Sequence, residues 1–340
     1  MITIKDVAQR AGVSLMTVTH VVNQTGRISD KTRKKVQSVI DELGYIPNEV
    51  ARGLRNKQSK IISFITHNLQ NSYYTSLATG IEETAWKHGY RMFISVSHGE
   101  LERELSCLHA VVSARSDGVI MTPINDKSIP HLQFLHKKNM PCVTIGHLPD
   151  AAQYVGDHVW GNNYDSAKQL AAHLVSVGHR RIAVAWDANN AATRLRGEGF
   201  ADGLREAGCY DESLVLPLQS GFKMIDTVLA LPTRPTAVFF PSNMIAVEAI
   251  EQLRAYNMKV PDHLALVCFE DLPICARIDP LLTVVAQSAY EMGKEAAEKA
   301  IHLIEQSVPR EPRTTVIPSK MIVRRSCQLP TQSFPCASLA

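Results

Sequence analysis

Three side chains near the amino terminus have the types and the spacing needed to read the edges of DNA bases. Leu15, Met16 and His20 fall on one predicted helix, Leu15–Asn23, on the side away from its valines. Leucine and methionine can contact thymine methyl groups, and an imidazole can hydrogen-bond to a purine edge. Apolar side chains that point outward would otherwise be unexpected at these positions. This segment is therefore a candidate recognition helix.

The elements around this segment predict a helix-turn-helix unit. An apolar stripe over residues 3–11 ends at Gly12, which can adopt a left-handed conformation, and Ser14 is a favourable N-cap for the second helix. A third helix begins near Ser29 and ends at Gly44. Two short helices with a tight turn and a third bracing helix are typical of units that place the second helix in the major groove. A helical hairpin without a nucleic-acid partner is the alternative interpretation.

The segment after the third helix combines a helix break with a short basic stretch. Asn48 can cap a helix that carries Leu54 among Arg52, Arg55 and Lys57. A helix of about one or two turns cannot persist alone in water, so we expect it to fold only on a partner chain or on DNA. Leu54 is then either an ordinary linker leucine or a wedge that enters a minor-groove step.

The charge distribution separates a basic head from a mildly acidic body. Residues 1–60 contain 11 Lys or Arg and 5 Asp or Glu, a net charge of +6, whereas the rest of the chain carries −3. This is the distribution expected when only the head meets a polyanion. The 340 residues, 45% of them apolar, are enough for about two or three domains and argue against wholesale disorder.

Several function classes are disfavoured by the sequence. No stretch approaches the roughly 18 uninterrupted apolar residues of a membrane helix, and the start lacks an apolar signal core, so we expect a cytoplasmic protein without a membrane partner. The seven cysteines form no C-x-x-C pair, and the 13 histidines show no metal spacing. A phosphate-binding loop and a G-x-S-x-G elbow are both missing, so no cofactor and no enzymatic activity are expected.

From Ile61 onward, the sequence predicts an α/β body with two lobes. Apolar, strand-like runs lie at 61–66, 91–97, 117–123, 141–147, 181–186, 214–218, 235–241 and 264–270. Helical patterns separate most of them, which predicts parallel sheets covered by helices on both faces. A polar, glycine-rich break over Gly156–Asn163 divides the pattern into two lobes, and late apolar runs near 315–317 and 321–323 predict more than one crossing between them. Two such lobes form a ligand cleft at the carboxyl ends of their strands.

The residue pattern resembles the lactose/galactose repressor (LacI/GalR) family of bacterial transcription regulators. The resemblance rests on Thr3–Ala8, Ala11–Ser14, Met16–Asn23, Leu43–Asn48, Ala51–Leu54, Gly178–Ile182, Arg196–Phe200 and Pro280–Thr283. It implies an all-α helix-turn-helix DNA-binding head and an α/β, two-lobed effector domain like a periplasmic binding protein. The implied divisions are a head over 1–46, a hinge helix and linker over 47–60, an effector-binding and dimerisation domain over 61–330, and a tail over 331–340.

By this resemblance, Leu15, Met16 and His20 occupy base-reading positions, and Leu54 is the hinge leucine that enters the minor groove. Positions that contact the DNA backbone are matched by Ser14, Thr17, Thr19, Asn23, Ser29, Thr32, Tyr45, Asn48, Arg52 and Arg55. Many members of the family carry arginine where this chain has His20, so we expect a different operator half-site.

In the body, the resemblance places Arg196 at the arginine that clamps the effector. The other effector-facing positions are Tyr73, Thr122, His147, Asn162, Ser242, Asn243, Glu270 and Gln287. Amides replace two carboxylates that are common in the family, so the cleft should be less acidic than usual. A guanidinium suits sugar hydroxyls or a carboxylate. The sequence therefore predicts a sugar or a sugar acid as the effector, and Arg196 together with the amide replacements raises the anionic option.

These observations predict a sequence-specific repressor that binds a near-palindromic operator as a homodimer and responds to a small ligand. The family's tetramer-forming C-terminal helix has no counterpart in residues 331–340. A solute-binding protein that feeds a transporter would share the two-lobed body, but the basic head and the missing export signal argue against it. An enzyme that uses the cleft is the third interpretation, and activation instead of repression depends on where the operator lies.

Overall fold

A computed structural model describes residues 2–45, 58–146, 148, 156–186, 191–271, 282–306 and 312–332. The chain divides into two compact units, Met1–Lys60 and Ile61–Ala340. In the part of the chain that is described, no helix is long and apolar enough to cross a membrane. The predicted hinge residues Asn48, Arg52, Leu54 and Arg55 lie outside the described residues, as does His147.

Within residues 2–45, the first unit contains three helices whose ends follow from individual residues. They are α1 (Ile4–Ala11), α2 (Leu15–Val22) and α3 (Asp30–Leu43). Gly12 and Gly44 adopt left-handed conformations after α1 and α3, with φ of +62° and +60°. The hydroxyls of Ser14 and Ser29 accept hydrogen bonds from the amides of Thr17 and Thr32, which caps α2 and α3. Buried aliphatic side chains from all three helices form one small core.

The described residues of the second unit form two six-stranded sheets. The first has the order β11-β5-β4-β3-β1-β2 and is parallel throughout. The second has the order β12-β10-β9-β8-β6-β7 and is parallel except at β12. Their strands are β1 (Ile61–Thr66), β2 (Arg91–Val96), β3 (Gly118–Met121), β4 (Cys142–Ile145), β5 (Asp157–Gly161), β6 (Ile182–Trp186), β7 (Val215–Pro217), β8 (Ala237–Phe240), β9 (Ala265–Phe269), β10 (Thr283–Ala286), β11 (Thr314–Ile317) and β12 (Lys320–Ile322).

Helices cover both faces of each sheet. They are α4 (Ser72–Lys87), α5 (Leu101–Ser113), α6 (Ile129–Lys137), α7 (Asn163–Val177), α8 (Ala191–Glu206), α9 (Gly221–Ala230), α10 (Asn243–Ala255) and α11 (Ala289–Glu305). In β8, Val238 and Phe240 face one core while Ala237 and Phe239 face the other. This alternation arises because successive strand residues point to opposite faces. The predicted fold class, a helical head with a two-lobed α/β body, is confirmed.

Along the described strands, the chain passes between the two sheets three times. Strands β1 to β5 belong to the first sheet and β6 to β10 to the second, after which β11 returns to the first and β12 to the second. The helix α11 packs on the first sheet, where Met292 and Ala296 join the same core as Ile62 and Phe64. The prediction that the chain crosses more than once is therefore confirmed.

The predicted break over Gly156–Asn163 is wrong in one respect, because it contains the buried strand β5. Its polar side chains have partners in the interior, which removes the cost of burying them. Asp157 accepts a hydrogen bond from the Arg313 amide at 3.0 Å and lies 3.5 Å from Lys299 Nζ. His158 Nδ1 lies 2.7 Å from Thr144 Oγ1. The first crossing between the sheets therefore comes after β5.

Candidate nucleic-acid interface and ligand cleft

The outward face of α2 presents the predicted base-reading side chains. Leu15 and Met16 are 44% and 63% exposed, whereas Val18 and Val21 on the other side of the helix are buried. Since the buried valines hold α2 against α1 and α3, the exposed face is fixed in direction by the small core. His20 is partly exposed, and its Nδ1 lies 3.1 Å from Thr25 Oγ1, a contact that sequence reasoning missed.

The predicted backbone-contact residues of the head also stabilise its helices. Ser14 and Ser29 are helix caps, and their hydroxyls lie 2.9 Å from the hydroxyls of Thr17 and Thr32. Thr19 donates to the Leu15 carbonyl at 2.9 Å. All seven residues of this set within the described region keep some exposure: Ser14, Thr17, Thr19, Asn23, Ser29, Thr32 and Tyr45. Their hydroxyl and amide groups can therefore reach a phosphate at the surface.

In the second unit, a cleft with a volume of about 300 Å³ and a mixed polar and apolar lining lies at the carboxyl ends of both sheets. Seven of its lining residues directly follow or end a strand: His67 after β1, Thr122 after β3, Ile145 at the end of β4, Gly146 after it, Gly161 at the end of β5, Glu270 after β9 and Gln287 after β10. This is where open parallel sheets bind ligands. The volume is at the lower end of small-molecule sites, which suits a ligand of a few hundred daltons or less.

Six of the predicted effector residues line this cleft: Tyr73, Thr122, Arg196, Ser242, Glu270 and Gln287. Two other predicted residues, Asn162 and Asn243, are not among the residues that line it. Asn162 turns away, and its Oδ1 accepts a hydrogen bond from the Ser319 amide at 2.7 Å, while its neighbour Asn163 lines the cleft. Asn243 is completely buried at the start of α10 and is absent from the lining. The sequence located both pairs, Asn162-Asn163 and Ser242-Asn243, but could not show which member of each pair lines the cleft.

Arg196 is the centre of a buried polar network, and all three of its nitrogens donate to protein groups. The acceptors are Asn163 Oδ1 at 2.9 Å, the Pro241 carbonyl at 2.7 Å and Glu270 Oε1 at 2.9 Å. Gln287 Nε2 donates to the same Asn163 oxygen at 3.0 Å. The guanidinium also lies over the Phe269 ring, 4.5 Å from its centroid. Its charge is therefore compensated by Glu270 before any ligand enters.

Glu270 is held in an unusual backbone conformation. Its φ is +70°, in the left-handed region that residues other than glycine seldom adopt. The Glu270 amide donates to the Val285 carbonyl at 2.8 Å, and its carboxylate is paired with Arg196. Strained residues of this kind persist where surrounding contacts determine them, and they concentrate at ligand sites.

Aromatic residues form one wall of the cleft, and sequence reasoning missed His67 within it. His67 Nε2 lies 2.5 Å from the Tyr74 hydroxyl, and Tyr73 and Tyr74 meet edge to face at 5.1 Å. Burial lowers the pKa of His67 and raises the pKa of both tyrosines. The Tyr74 hydroxyl and the His67 imidazole therefore share a hydrogen bond inside the protein. The position of His67 immediately after a strand was the signal that could have identified it.

The charges in the described lining cancel. Arg196 and Glu270 are paired at 2.9 Å, and burial favours the neutral form of His67 by lowering its pKa. Over the same described residues, no group of three or more His, Cys, Asp or Glu could hold a metal ion. The chemistry that the cleft offers is hydrogen bonding from amides and hydroxyls beside aromatic rings, which matches a polar ligand with an apolar face.

A helix-turn-helix head combined with a two-lobed body places the chain in the class of helix-turn-helix transcription regulators. The model of bacterial regulatory proteins of the lacI family matches residues 3–48, and the model of the periplasmic binding protein-like domain matches residues 171–327. The HTH-type transcriptional regulator DegA of Bacillus subtilis (strain 168) is 34% identical over 336 residues, which cover 95% of this chain and 97% of that protein.

Two further comparisons agree. The ribose operon repressor of Escherichia coli (strain K12) is 28% identical and covers 94% of this chain and 98% of its own length. The structure of the Lac repressor dimer bound to operator and the anti-inducer ONPF has a TM-score of 0.83 at 25% identity, covering 96% of this chain and 99% of that chain. The chain belongs to the lacI family of bacterial regulatory proteins. This family consists of DNA-binding transcription regulators, so the chain is not an enzyme.

Proposed function

We propose that this protein is a sequence-specific repressor whose affinity for operator DNA is controlled by a small, uncharged sugar in the cleft. The observation that carries the DNA-binding part is the outward face of α2, where Leu15 and Met16 are exposed on a helix fixed by buried valines. In a helix-turn-helix unit this face enters the major groove. Membership of a family of transcription regulators supports the same assignment.

Each part of the proposed DNA interface has a distinct task. Leu15, Met16 and His20 read base edges, and Leu54 enters the minor groove at the centre of the operator. The residues proposed to bind phosphates are Ser14, Thr17, Thr19, Asn23, Ser29, Thr32, Tyr45, Asn48, Arg52 and Arg55. We propose a homodimer on a near-palindromic site, since two-fold symmetry in the protein then matches two-fold symmetry in the DNA.

We propose the same division of the chain as the sequence predicts. Residues 1–46 form the DNA-binding head, 47–60 the hinge and linker, 61–330 the effector-binding and dimerisation domain, and 331–340 the tail. A cytoplasmic location, at the bacterial nucleoid, is part of the proposal because the partner is chromosomal DNA. The break between compact units at Lys60 supports the boundary that begins the effector domain.

For the ligand, the cleft favours a neutral sugar over a sugar acid. The sequence left both open, but Glu270 already compensates the charge of Arg196, so a ligand carboxylate would have to displace a buried partner. Asn163, Gln287 and Thr122 offer amide and hydroxyl groups that suit sugar hydroxyls, and Tyr73 offers an aromatic surface. His147, also proposed to face the ligand, lies outside the described residues.

Selection of the full-length protein on random duplex DNA at physiological salt tests the DNA-binding part. We expect enrichment of a near-palindrome with a flexible pyrimidine–purine step at its centre. Leu54→Ala should weaken binding to that sequence far more than binding to unrelated DNA, whereas equal losses would contradict the wedge role. Failure to enrich any sequence, with or without added sugars, would favour the solute-binding interpretation.

Calorimetric titration of the cleft tests the ligand. Aldoses, the matching aldonates and uronates, and purine nucleosides are compared on the same protein. Aldoses should bind, and the acids should bind less tightly because Arg196 is already paired. Exclusive binding of a purine or a nucleoside would rule out the sugar assignment.

A further inference from the structure

The imidazole of His20 is tied to the loop that follows α2. Its Nδ1 lies 3.1 Å from Thr25 Oγ1. In the backbone, the Thr25 amide donates a hydrogen bond to the His20 carbonyl at 2.9 Å. Thr25 therefore contacts the imidazole ring through its hydroxyl and also forms a backbone hydrogen bond to His20. The position of the ring thus depends on the conformation of the loop.

Gly26 provides the space in which the ring lies. A Cβ atom added to Gly26 would be 2.9 Å from His20 Nδ1 and 3.0 Å from its Cγ. Such distances are too short for real contacts, so any side chain at this position would push the ring away from Thr25. Gly26 also has a φ of +72°, which glycine adopts without strain. Both properties make glycine the suitable residue beside His20.

We propose that Thr25 and Gly26 are specificity-determining residues that orient His20 so that Nε2 is the single atom reading a base edge. The inference rests on the proposed DNA-binding function. With Nδ1 engaged by Thr25, the imidazole has only its other nitrogen to offer, and within residues 2–45 that nitrogen has no hydrogen-bond partner. Thr25 and Gly26 thus act through His20 and need no contact with DNA.

Orientation matters more for this histidine than for an arginine in the same place. An arginine fork can make two hydrogen bonds to one guanine, and its fixed geometry then carries specificity. An imidazole with one free nitrogen makes a single bond, whose direction depends on how the ring is held. Holding the ring before binding also reduces the side-chain entropy lost on the DNA. Loss of the Thr25 contact should therefore reduce discrimination at one base pair, not affinity in general.

The test uses the full-length protein and the operator obtained from selection, together with every single-base-pair variant of one half-site. Relative affinities are measured for the wild type, His20→Ala, Thr25→Val and Thr25→Ser. His20→Ala should abolish discrimination at one base pair per half-site. Thr25→Val should reduce discrimination at that same pair by about fivefold or more, whereas Thr25→Ser, which keeps the hydroxyl, should retain it. Thr79→Val, in which the lost hydroxyl bonds only to the Thr75 carbonyl, is the matched control and should change nothing.

Gly26→Ala provides an independent arm, because it displaces the ring without removing the hydroxyl. It should affect the same base pair as His20→Ala. Three results would each overturn the inference. Thr25→Val could lose the same affinity for all sequences, or it could keep its discrimination unchanged. Either variant could also act at a base pair that His20→Ala leaves intact. If the wild type itself selects no sequence, the DNA-binding proposal fails instead, so the two failures are distinguishable.

Discussion

Among the residues of the cleft, Arg196 shows how an ion-pair partner changes the ligand chemistry that a side chain supports. A guanidinium at this position predicts affinity for hydroxyls or for a carboxylate, and the sequence alone leaves both open. Glu270 lies 2.9 Å away, and the two side chains are 7% and 13% exposed, so the pair is largely removed from water. The positive charge is thereby satisfied inside the protein, and Arg196 serves to hold the network that faces the ligand.

Removing the charge of Glu270 should release Arg196 toward an anionic ligand. Glu270→Gln leaves a buried guanidinium without a compensating charge, so the free energy of unfolding should fall by about 3 kcal/mol. The same variant should bind a uronate more tightly relative to the matching aldose. Urea unfolding and calorimetry measure the two effects. Glu206→Gln, at an exposed pair with Lys168, is the matched control and should lower the free energy of unfolding far less, because solvent screens an exposed pair. An unchanged ratio of uronate to aldose affinity would contradict this account.

Acid should destabilise the second unit through His179. The side chain is fully buried, with Nε2 3.1 Å from the Cys327 carbonyl and Nδ1 2.8 Å from Thr236 Oγ1. Burial lowers the pKa of His179 in the folded protein. Below about pH 6.5, this histidine therefore binds a proton more readily in the unfolded chain than in the folded protein. Stability is therefore complete above that pH and falls as the pH decreases, by up to about 1.4 kcal/mol per pH unit for one proton.

Urea unfolding between pH 8 and pH 5 measures this slope. His179→Gln can keep both hydrogen bonds but cannot be protonated, so its stability should fall less steeply with acid than that of the wild type. His302→Gln makes the same substitution at an exposed position in α11 and serves as the comparison. Parallel curves for the wild type and His179→Gln would show that His179 contributes nothing.

At the scale of elements, local signals in the sequence predicted most of the fold. Gly12, Gly44, Ser14 and Ser29 mark the ends of the head helices because capping depends on a few adjacent residues. The strand β5 escaped prediction because its polar residues are satisfied by distant partners, such as the Arg313 amide. The contact of Asn162 with Ser319 spans 157 residues and is likewise invisible in a local pattern.

The helix α5 positions part of the cleft through one buried carboxylate. Glu104 is fully buried, its Oε1 lies 2.5 Å from His131 Nδ1, and its Oε2 accepts a hydrogen bond from the Ile124 amide at 3.3 Å. Ile124 and Asn125 line the cleft just beyond β3. Glu104 therefore connects two helices to the loop that faces the ligand, although it does not reach the cleft itself.

Weakening this connection should loosen the loop and reduce ligand affinity. Glu104→Gln removes the charge from both hydrogen bonds, and we expect the aldose identified by calorimetry to bind about tenfold less tightly, since charged hydrogen bonds are the stronger ones. Glu102→Gln makes the same change at an exposed position of α5 and should have no effect. Equal affinities for the two variants would mean that Glu104 has no role in positioning the cleft.

At the scale of the second unit, the chain passes from one sheet to the other in three segments: after β5, after β10 and between β11 and β12. Hydrogen bonds connect these three crossing segments to one another and to the cleft. The Ser319 amide, between β11 and β12, donates to Asn162 after β5, and Ser288 after β10 donates to the Pro318 carbonyl at 3.2 Å. Gln287, in the same segment as Ser288, lines the cleft and bonds to Asn163. A ligand that moves the two sheets relative to each other must act across these joined segments, so they are candidates for the transmission of the signal.

Substitutions of the neighbouring residues Asn162 and Asn163 should therefore have different effects. One should change the coupling between ligand binding and operator binding, and the other should change ligand binding itself. Asn163→Ala removes the acceptor shared by Arg196 and Gln287, so it should weaken aldose binding directly. Asn162→Ala removes the bond to Ser319 outside the cleft, so aldose affinity in free protein should stay within about threefold. The ratio of operator affinities with and without the aldose should instead fall. Thermodynamic linkage requires that operator DNA change the affinity for the aldose by the same factor. The coupling is therefore measured in two independent ways, by titrating DNA with and without the aldose and by titrating the aldose with and without DNA. If Asn162→Ala leaves both ratios as in the wild type, the joined segments do not carry the coupling.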